Sequence, residues 1–384
     1  MLADILAPMS TEEFFGQYWT KQFLHLPGPA DKFRALFSWD VLNTTLETHR
    51  FTTERLKLVK SGKTLEPSRY VTNDIINASS LMNELSGGAT LIFNFCEEVQ
   101  PALRAFCAHL ERLFHVYVHV NLYAGWRKDN GFDIHWDDQD TFILQVAGRK
   151  HWKVWKPTRL YPFVEDVVDT SPSTKPEEEP VWDGVLEQGA MLSMPRGWWH
   201  VAYPMDEPCL HLTVTIQNLN GISLLRWFTH KMKASEAARK ELPIVASRED
   251  QQAWLREVWV DMCSTWNENV LDGYLADADG RARSRPRLNL PEIGMAAGIG
   301  IDTPLELALP RALHFETSDG NARFKAAGAD WNTTSELVPA LARFNDGHPH
   351  TLSEVAGPNA QSLTLLVTAL LMQGVVRRAA LREA

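Results

Sequence analysis

The sequence predicts a mainly β core of the double-stranded β-helix type, with flanking helices, a helical segment and a C-terminal winged-helix-like module. Two observations carry that reading. Residues 116–123 and 210–215 alternate apolar and polar side chains with a period of two, and residues 141–146 and 150–155 read as strands bounding a tight turn. In addition, the triplet His135-Trp136-Asp137 stands just ahead of residues 141–146. A further histidine, His200, follows the turn Pro195-Arg196-Gly197 far downstream. Residues 141–146, the tight turn Ala147-Gly148-Arg149 and residues 150–155 read as a hairpin. A hairpin plus a Pro/Gly-entered histidine strand is the layout expected of that core.

The remaining elements follow in order. Residues 10–24 read as a helix with Ser10 as N-cap, Glu13 as its capping-box partner and Phe14, Phe15, Tyr18 and Trp19 inside. A second helix falls within 32–50. Residues 56–60 are a strand ended by Ser61-Gly62, and 90–95 are a strand of buried type. Residues 97–114 have helical periodicity through Leu103, Phe106, Leu110 and Leu113. The barrel then spans 116–219. It is interrupted at 157–183 by five prolines and the run Glu177-Glu178-Glu179, which is loop composition. That loop is a candidate border of the site mouth, with a solvated excursion as the alternative.

The chemistry lies in His135, Asp137 and His200. Alternate residues of a strand face the same way, so His135 and Asp137 can grip one metal while Trp136 points elsewhere. Two imidazoles and one carboxylate leave half of an octahedral ion open, which suits non-haem Fe(II) binding both a co-substrate and O2. An H-x-D triplet alone is common in a chain with 13 His; the strand context and His200 raise it above chance.

The stretch from His135 to Trp155 (HWDDQDTFILQVAGRKHWKVW) and the later MPRGWWH resemble the JmjC-type cupin oxygenases, in particular the branch of the ribosomal oxygenases. The segment STEEFFGQYWTKQFLHLP at the N-terminus is similar to that branch's entry segment, and the resemblance fades after about residue 220. It implies a 2-oxoglutarate-dependent hydroxylase in which His135, Asp137 and His200 bind Fe(II) and O2 reacts at the metal. Lys150 lies where the family places the cation for the far carboxylate of 2-oxoglutarate. A lysine ammonium is a compact charge suited to one carboxylate. Asn121 and Tyr123 share a strand face and match the family's N-x-Y segment. His211 and Thr213 occupy the face where relatives place small polar groups, His211 standing in place of the expected Asn. These four are candidate pocket residues, with ordinary inward barrel positions as the alternative.

Composition bounds the rest. The 384 residues suffice for two or three domains: a catalytic domain over 1–220, a helical dimerisation segment over 221–285, and a winged-helix-like domain over 286–384. Hydrophobic content of 45% and charge of 22% are ordinary for a soluble globular protein, and a net charge of −10 argues against broad capture of nucleic-acid phosphates. No apolar run of membrane-spanning length and no signal-peptide layout is read, so a cytoplasmic protein is expected. Cys96, Cys107, Cys209 and Cys263 lack C-x-x-C spacing and read as reduced thiols. Of the 14 Trp, Trp126, Trp136, Trp198 and Trp199 cluster in sequence around the metal motif, where they either shape a groove or simply pack.

Beyond the barrel, 224–228, 234–242 and 250–266 are helix-like. In the resembling family this region builds a dimer, and Leu224, Leu225, Trp227, Phe228, Trp254 and Trp259 supply apolar surface for a homodimer. Residues 281–286 read as a linker. A strand at 305–310, helices at 337–344, 351–356 and 363–373, and a strand at 375–378 suggest the winged helix. Residues 331–384 hold four Arg, no Lys and four acids, so direct DNA binding is not expected. The expected substrate is a protein side chain, such as an Arg or His of a ribosomal protein. The alternatives are a peptide natural product or small molecule, a catalytically silent cupin scaffold and, ranked lower, N-methyl-lysine demethylation.

Overall fold

The computed structural model describes residues 1–127, 132–168, 175–282, 285, 288 and 299–379. The chain divides into two units, Met1–Glu111 with Tyr117–Asn218, and Arg112–Val116 with Leu219–Ala384.

In the first unit the strands are β1 (Leu24–Leu26), β2 (Leu56–Lys60), β3 (Lys63–Thr64), β4 (Val71–Thr72), β5 (Ile75–Ile76), β6 (Thr90–Phe93), β7 (Val118–Gly125), β8 (Asp140–Ala147), β9 (Lys150–Trp155), β10 (Trp182–Leu186), β11 (Met191–Met194), β12 (Trp199–Pro204) and β13 (Cys209–Ile216). An eight-stranded sheet runs β1-β11-β8-β13-β7-β6-β2-β3, a three-stranded sheet runs β10-β9-β12, and β4 pairs with β5 alone. Every pairing is antiparallel. Ile143, Leu192 and Met194 of the large sheet pack with Trp152, Val154 and Leu186 of the small one in a single buried cluster. The period-two patterning makes this possible: in β7, Val118, Val120, Leu122 and Ala124 are buried on one face, and Asn121 and Tyr123 take the other.

The expected hairpin of residues 141–155 is corrected. β8 pairs with β11 and β13, whereas β9 lies between β10 and β12, so the chain crosses from one sheet to the other at Ala147-Gly148-Arg149. The local cause is visible. The register steps from Leu210–Ala147 to His211–Gln145, leaving Val146 as an extra residue that bends β8 away. Gln145 Nε2 donates to the carbonyls of Ala147 (2.9 Å) and Gly148 (3.3 Å). Gly148 has φ +61°, and a Cβ there would stand 2.1 Å from the Pro208 carbonyl oxygen. Arg149 closes the turn with a two-pronged bond to Glu207.

The N-terminal helix is shorter than 10–24. Ser10 does cap it, accepting from the Glu13 amide at 3.1 Å, but the helical turns end at Tyr18. Lys21 Nζ then takes the Gly16 carbonyl at 2.6 Å, Thr20 adopts φ +58°, and the chain enters β1 to pair with β11. Phe14 and Trp19 pack on Phe142 instead of continuing a helix. Helices at Trp39–Thr48 and Pro101–Phe114 fall within the expected spans.

The second unit contains helices Gly221–Lys231, Glu236–Arg239, Arg248–Thr265 and Val270–Arg281, the last unread in the sequence. The linker expected at 281–286 lies largely outside the described residues. Next come β14 (Leu305–Leu307), β15 (Phe315–Ser318), β16 (Asn321–Ala326) and β17 (Ala329–Thr334), the last three forming a meander that the sequence reading lacked. Helices Val338–Ala342, Leu352–Ala356 and Ala360–Met372 follow, and β18 (Val376–Arg378) returns to pair with β14. The stretch Leu352–Met372 is, contrary to expectation, long and apolar enough to cross a membrane by length and composition. It breaks at Gly357–Asn359, and Leu363, Val367, Leu370 and Leu371 lie in this unit's own core.

Candidate metal centre and pocket

His135 lies not in the regular strand expected of it but in the segment leading to β8. Backbone bonds hold it there: its amide donates to the His200 carbonyl (3.1 Å) and the His200 amide donates to its own (2.7 Å), an isolated antiparallel bridge. His200 is the second residue of β12, just past the Pro/Gly turn. The Gly197 amide donates to the Asp137 carbonyl at 2.8 Å, and Gly197, at φ +84°, leaves no room for a Cβ against Pro162. Asp140 steadies the same turn by accepting from the Arg196 amide (3.2 Å) and from Asn218.

These constraints bring one ligand atom each from His135, Asp137 and His200 to within 4.8 Å of one another. Both imidazoles are oriented by Nδ1, which bonds the Asp133 carbonyl at 2.7 Å in His135 and the Trp198 carbonyl at 3.1 Å in His200. That assigns the proton to Nδ1 and leaves the Nε2 lone pairs for a metal. His200 Nε2 lies 3.7 Å from Asp137 Oδ2. Burial, and then the neighbouring His135, lower the His200 pKa to about 4, so the ring stays neutral at ordinary pH.

The centre opens into a cavity of about 300 Å³ lined also by Tyr123, Lys150, Trp152, His211 and Thr213. Lys150 is 6% exposed at the start of β9, and its ammonium has no hydrogen-bond or ion-pair partner among the described residues, only the Trp152 ring at 5.9 Å. Burial lowers its pKa. An unpaired buried ammonium is costly and calls for an anion. Tyr123, whose hydroxyl pKa burial raises, stacks on His211 at 5.0 Å. Asn121 does not line the cavity: its Oδ1 accepts from the Phe95 amide at 3.3 Å. The sequence reading missed Trp152 and Phe132. The first was legible two residues after Lys150 on the same strand face; the second, in loop sequence, carried no periodic signal.

Trp136 turns away as expected and, with Trp155 and Trp199, lines a separate cavity. Trp126, Trp198 and Trp199 do not line the metal cavity. They pack on Trp39, on Phe23 and against Thr158 respectively. The described part of the 157–183 loop borders the Trp136 cavity instead of the metal cavity.

Two facing antiparallel sheets with a His/Asp/His centre between them define a JmjC cupin fold, and residues 97–224 match the JmjC domain. Among curated proteins, the chain is similar to the bifunctional lysine-specific demethylase and histidyl-hydroxylase NO66 of Drosophila mojavensis. The match is 31% identical over 229 residues, 56% of this chain and 24% of that protein. The Brugia malayi NO66 is 35% identical over 140 residues, 34% of this chain and 19% of that one. The chain thus spans about a quarter of the length of the curated relatives it matches. Among solved structures, the Escherichia coli ribosomal oxygenase YcfD superposes with TM-score 0.61 at 18% identity, covering 97% of this chain and 98% of that one. Its complex with cobalt and 2-oxoglutarate gives 0.58 at 18% identity, covering 96% and 98%. At that identity the likeness shows the fold.

Proposed function

We propose that this protein is an Fe(II)- and 2-oxoglutarate-dependent oxygenase that hydroxylates a protein side chain, an arginine or histidine of a ribosomal protein. The observation that carries it is the pairing of a ready His/Asp/His centre with a buried, partnerless lysine in one cavity. His135, Asp137 and His200 would hold the metal through neutral imidazoles and a carboxylate. Lys150 would receive the far carboxylate of 2-oxoglutarate, which removes the cost of its isolation. When bound, the metal with 2-oxoglutarate and O2 supplies decarboxylation to succinate and CO2, coupled to insertion of one oxygen atom into a C–H bond. The chain's part is to orient: Asp133 and Trp198 carbonyls fix the rings, and apolar walls such as Ile143 and Trp152 exclude water.

The substrate class is supported by the words ribosomal oxygenase and histidyl-hydroxylase in the names of the similar proteins. The NO66 name also favours a second reading, demethylation of an N-methyl-lysine by the same chemistry. Incubation with Fe(II), 2-oxoglutarate and ribosomal proteins from a strain lacking this gene, read by mass spectrometry, decides between them. A one-oxygen gain on Arg or His supports hydroxylation, loss of a methyl group supports demethylation, and succinate formation with neither overturns both substrates.

We also propose a homodimer through the helices after the barrel. Helix Arg248–Thr265 buries none of its residues, yet carries Leu255, Trp259 and Val260 at 50–64% exposure. Phe228 is buried and Trp254 bonds the Ala237 carbonyl, so these two serve the unit itself. A cytoplasmic location remains our proposal, supported by four cysteines none of which is in a disulfide.

A further inference from the structure

We infer that the second cavity of the first unit, walled by Trp136, Trp155 and Trp199, is a docking site for an arginine-rich segment of the protein substrate. Its role as a substrate site rests on the oxygenase reading above. The cavity measures about 1120 Å³, beyond the roughly 300–1,000 Å³ of small-molecule pockets and wide enough for a stretch of peptide. It is built on the segments that carry the metal ligands. Trp136 stands between His135 and Asp137. Trp155 pairs with Trp199 in the same register that pairs Val154 with His200. Gly197 lines the cavity too, and its amide donates to the Asp137 carbonyl. A peptide bound here lies against the backbone that sets all three ligands.

Unused donors are the first feature that points to a peptide. Trp199 is fully buried, and its indole N–H donates to Thr158 Oγ1 at 3.1 Å, so this wall is complete in itself. Trp136 is 7% exposed, yet its indole N–H has no acceptor among the described residues. The half-buried Trp155 is in the same condition. A buried indole ordinarily finds a partner, and one left without it is costly. Main-chain carbonyls of a bound peptide are acceptors of the right kind.

Charge is the second feature. Five carboxylates and three cations line the cavity. Arg159 is committed to Asp166 at 3.0 Å. Glu165, Glu177, Glu178 and Glu179 take part in no ion pair among the described residues, against two lysines of which the same holds, Lys156 and Lys175. The excess is negative, which repels phosphates and acidic peptides and attracts a basic one. Arginine suits the lining better than lysine does. Its planar guanidinium stacks on an indole face and also takes a carboxylate through two N–H groups. The glutamates thus steer the segment in, the indole faces hold its guanidinium groups, and the indole N–H groups take its carbonyls.

The test is fluorescence anisotropy of the full chain with a fluorescein-labelled Arg-Gly repeat peptide and its Lys-Gly and Glu-Gly counterparts. The arginine peptide is expected to bind, the lysine peptide to bind more weakly, and the glutamate peptide not to bind. Glu177→Gln, Glu178→Gln and Glu179→Gln together should weaken the arginine peptide about threefold or more at low salt. The same neutralisation at the exposed Glu241, Glu249 and Glu268 of the second unit should leave it unchanged. Trp155→Leu should cut the preference for arginine over lysine by about two- to fivefold and keep the salt dependence, with Mn(II) binding confirming an intact fold. Added to ribosomal proteins under oxidation, the arginine peptide should slow their modification by the unmodified protein, and do so less with the glutamine triple. No binding by the unmodified protein, equal weakening by the two triples, or an arginine preference that survives Trp155→Leu overturns the inference. Binding without competition against ribosomal proteins overturns the substrate role. Peptide binding needs no turnover, so failure of the oxygenase reading shows separately, as absent succinate formation with the peptide still bound.

Discussion

Replacing Lys150 by methionine should move two observables in opposite directions. The ammonium is 6% exposed, faces a cavity, and has no acceptor among the described residues. Methionine keeps the length of the stem and removes the charge. In the ligand-free protein, this relieves a desolvation penalty of roughly 1–3 kcal/mol, the range found for a buried polar group without its bond. For a unit of this size, that raises Tm by about 2–10 °C. In the complex, the same change deletes a charge-assisted contact of about 1.5–3 kcal/mol, weakening 2-oxoglutarate by about 10- to 150-fold. Differential scanning fluorimetry reads the first effect and titration of the Mn(II)-loaded protein the second. A lower Tm with unchanged affinity would make Lys150 a packing residue and refute the reasoning. Burial lowers the Lys150 pKa, so the unfolded chain holds the proton more tightly and the stability of the ligand-free protein should rise with pH between the folded value and the ordinary lysine value of about 10.4. Lys150→Met should flatten that rise.

Five further outcomes are expected. Alanine at His135, Asp137 or His200 should abolish Mn(II) or Fe(II) binding while circular dichroism stays that of the parent, since each removes one of three protein donors. Gly148→Ala should destabilise the first unit by more than about 1 kcal/mol in urea titration, because the new methyl meets the Pro208 carbonyl at a positive φ. In the second unit, Asp279 accepts from His115 (2.8 Å), His314 (2.9 Å) and Arg311 (2.9 Å), with its side chain fully buried. Asp279→Ala should cost about 3–5 kcal/mol there. These bonds hold the Asp279 carboxyl far below the usual range, so its contribution is present above pH about 3.9 and lost as pH falls toward the folded value; acid titration of Asp279→Asn should lack that loss. Trp259→Glu with Leu255→Glu should give monomers by light scattering if the exposed face of Arg248–Thr265 is the interface, and an unaltered dimer would move it elsewhere.

The ligand triad was legible because its signal is local and chemical: three residue types that share a function, on segments whose strand patterning and Pro/Gly entry appear in the sequence. Lys150 was legible only through resemblance, since an alternating strand says nothing about which face meets a cavity. The crossover at Gly148 was not legible. β8 and β9 read equally well as a hairpin or as members of two sheets, and the bulge at Val146 that decides between them is a tertiary event. Asn121 shares a face with Tyr123 yet bonds the Phe95 amide, a partner remote in sequence. The meander β15–β17 was missed because Phe324 is the one large apolar side chain of Asn321–Ala326, and the alanines beside it carry little hydrophobic contrast.

The paired backbone bonds between His135 and His200 bear on how the centre forms. Two of the three ligands are anchored to each other through main-chain amides that involve no ion, so metal uptake need not organise the polypeptide there. That sets this centre apart from small zinc modules, which stay unfolded until loaded. The amides of His135 and His200 should resist deuterium exchange equally in the chelated and the loaded protein. On the proposed iron chemistry, a cell short of iron would then keep an intact, rechargeable apoprotein instead of one bound for degradation.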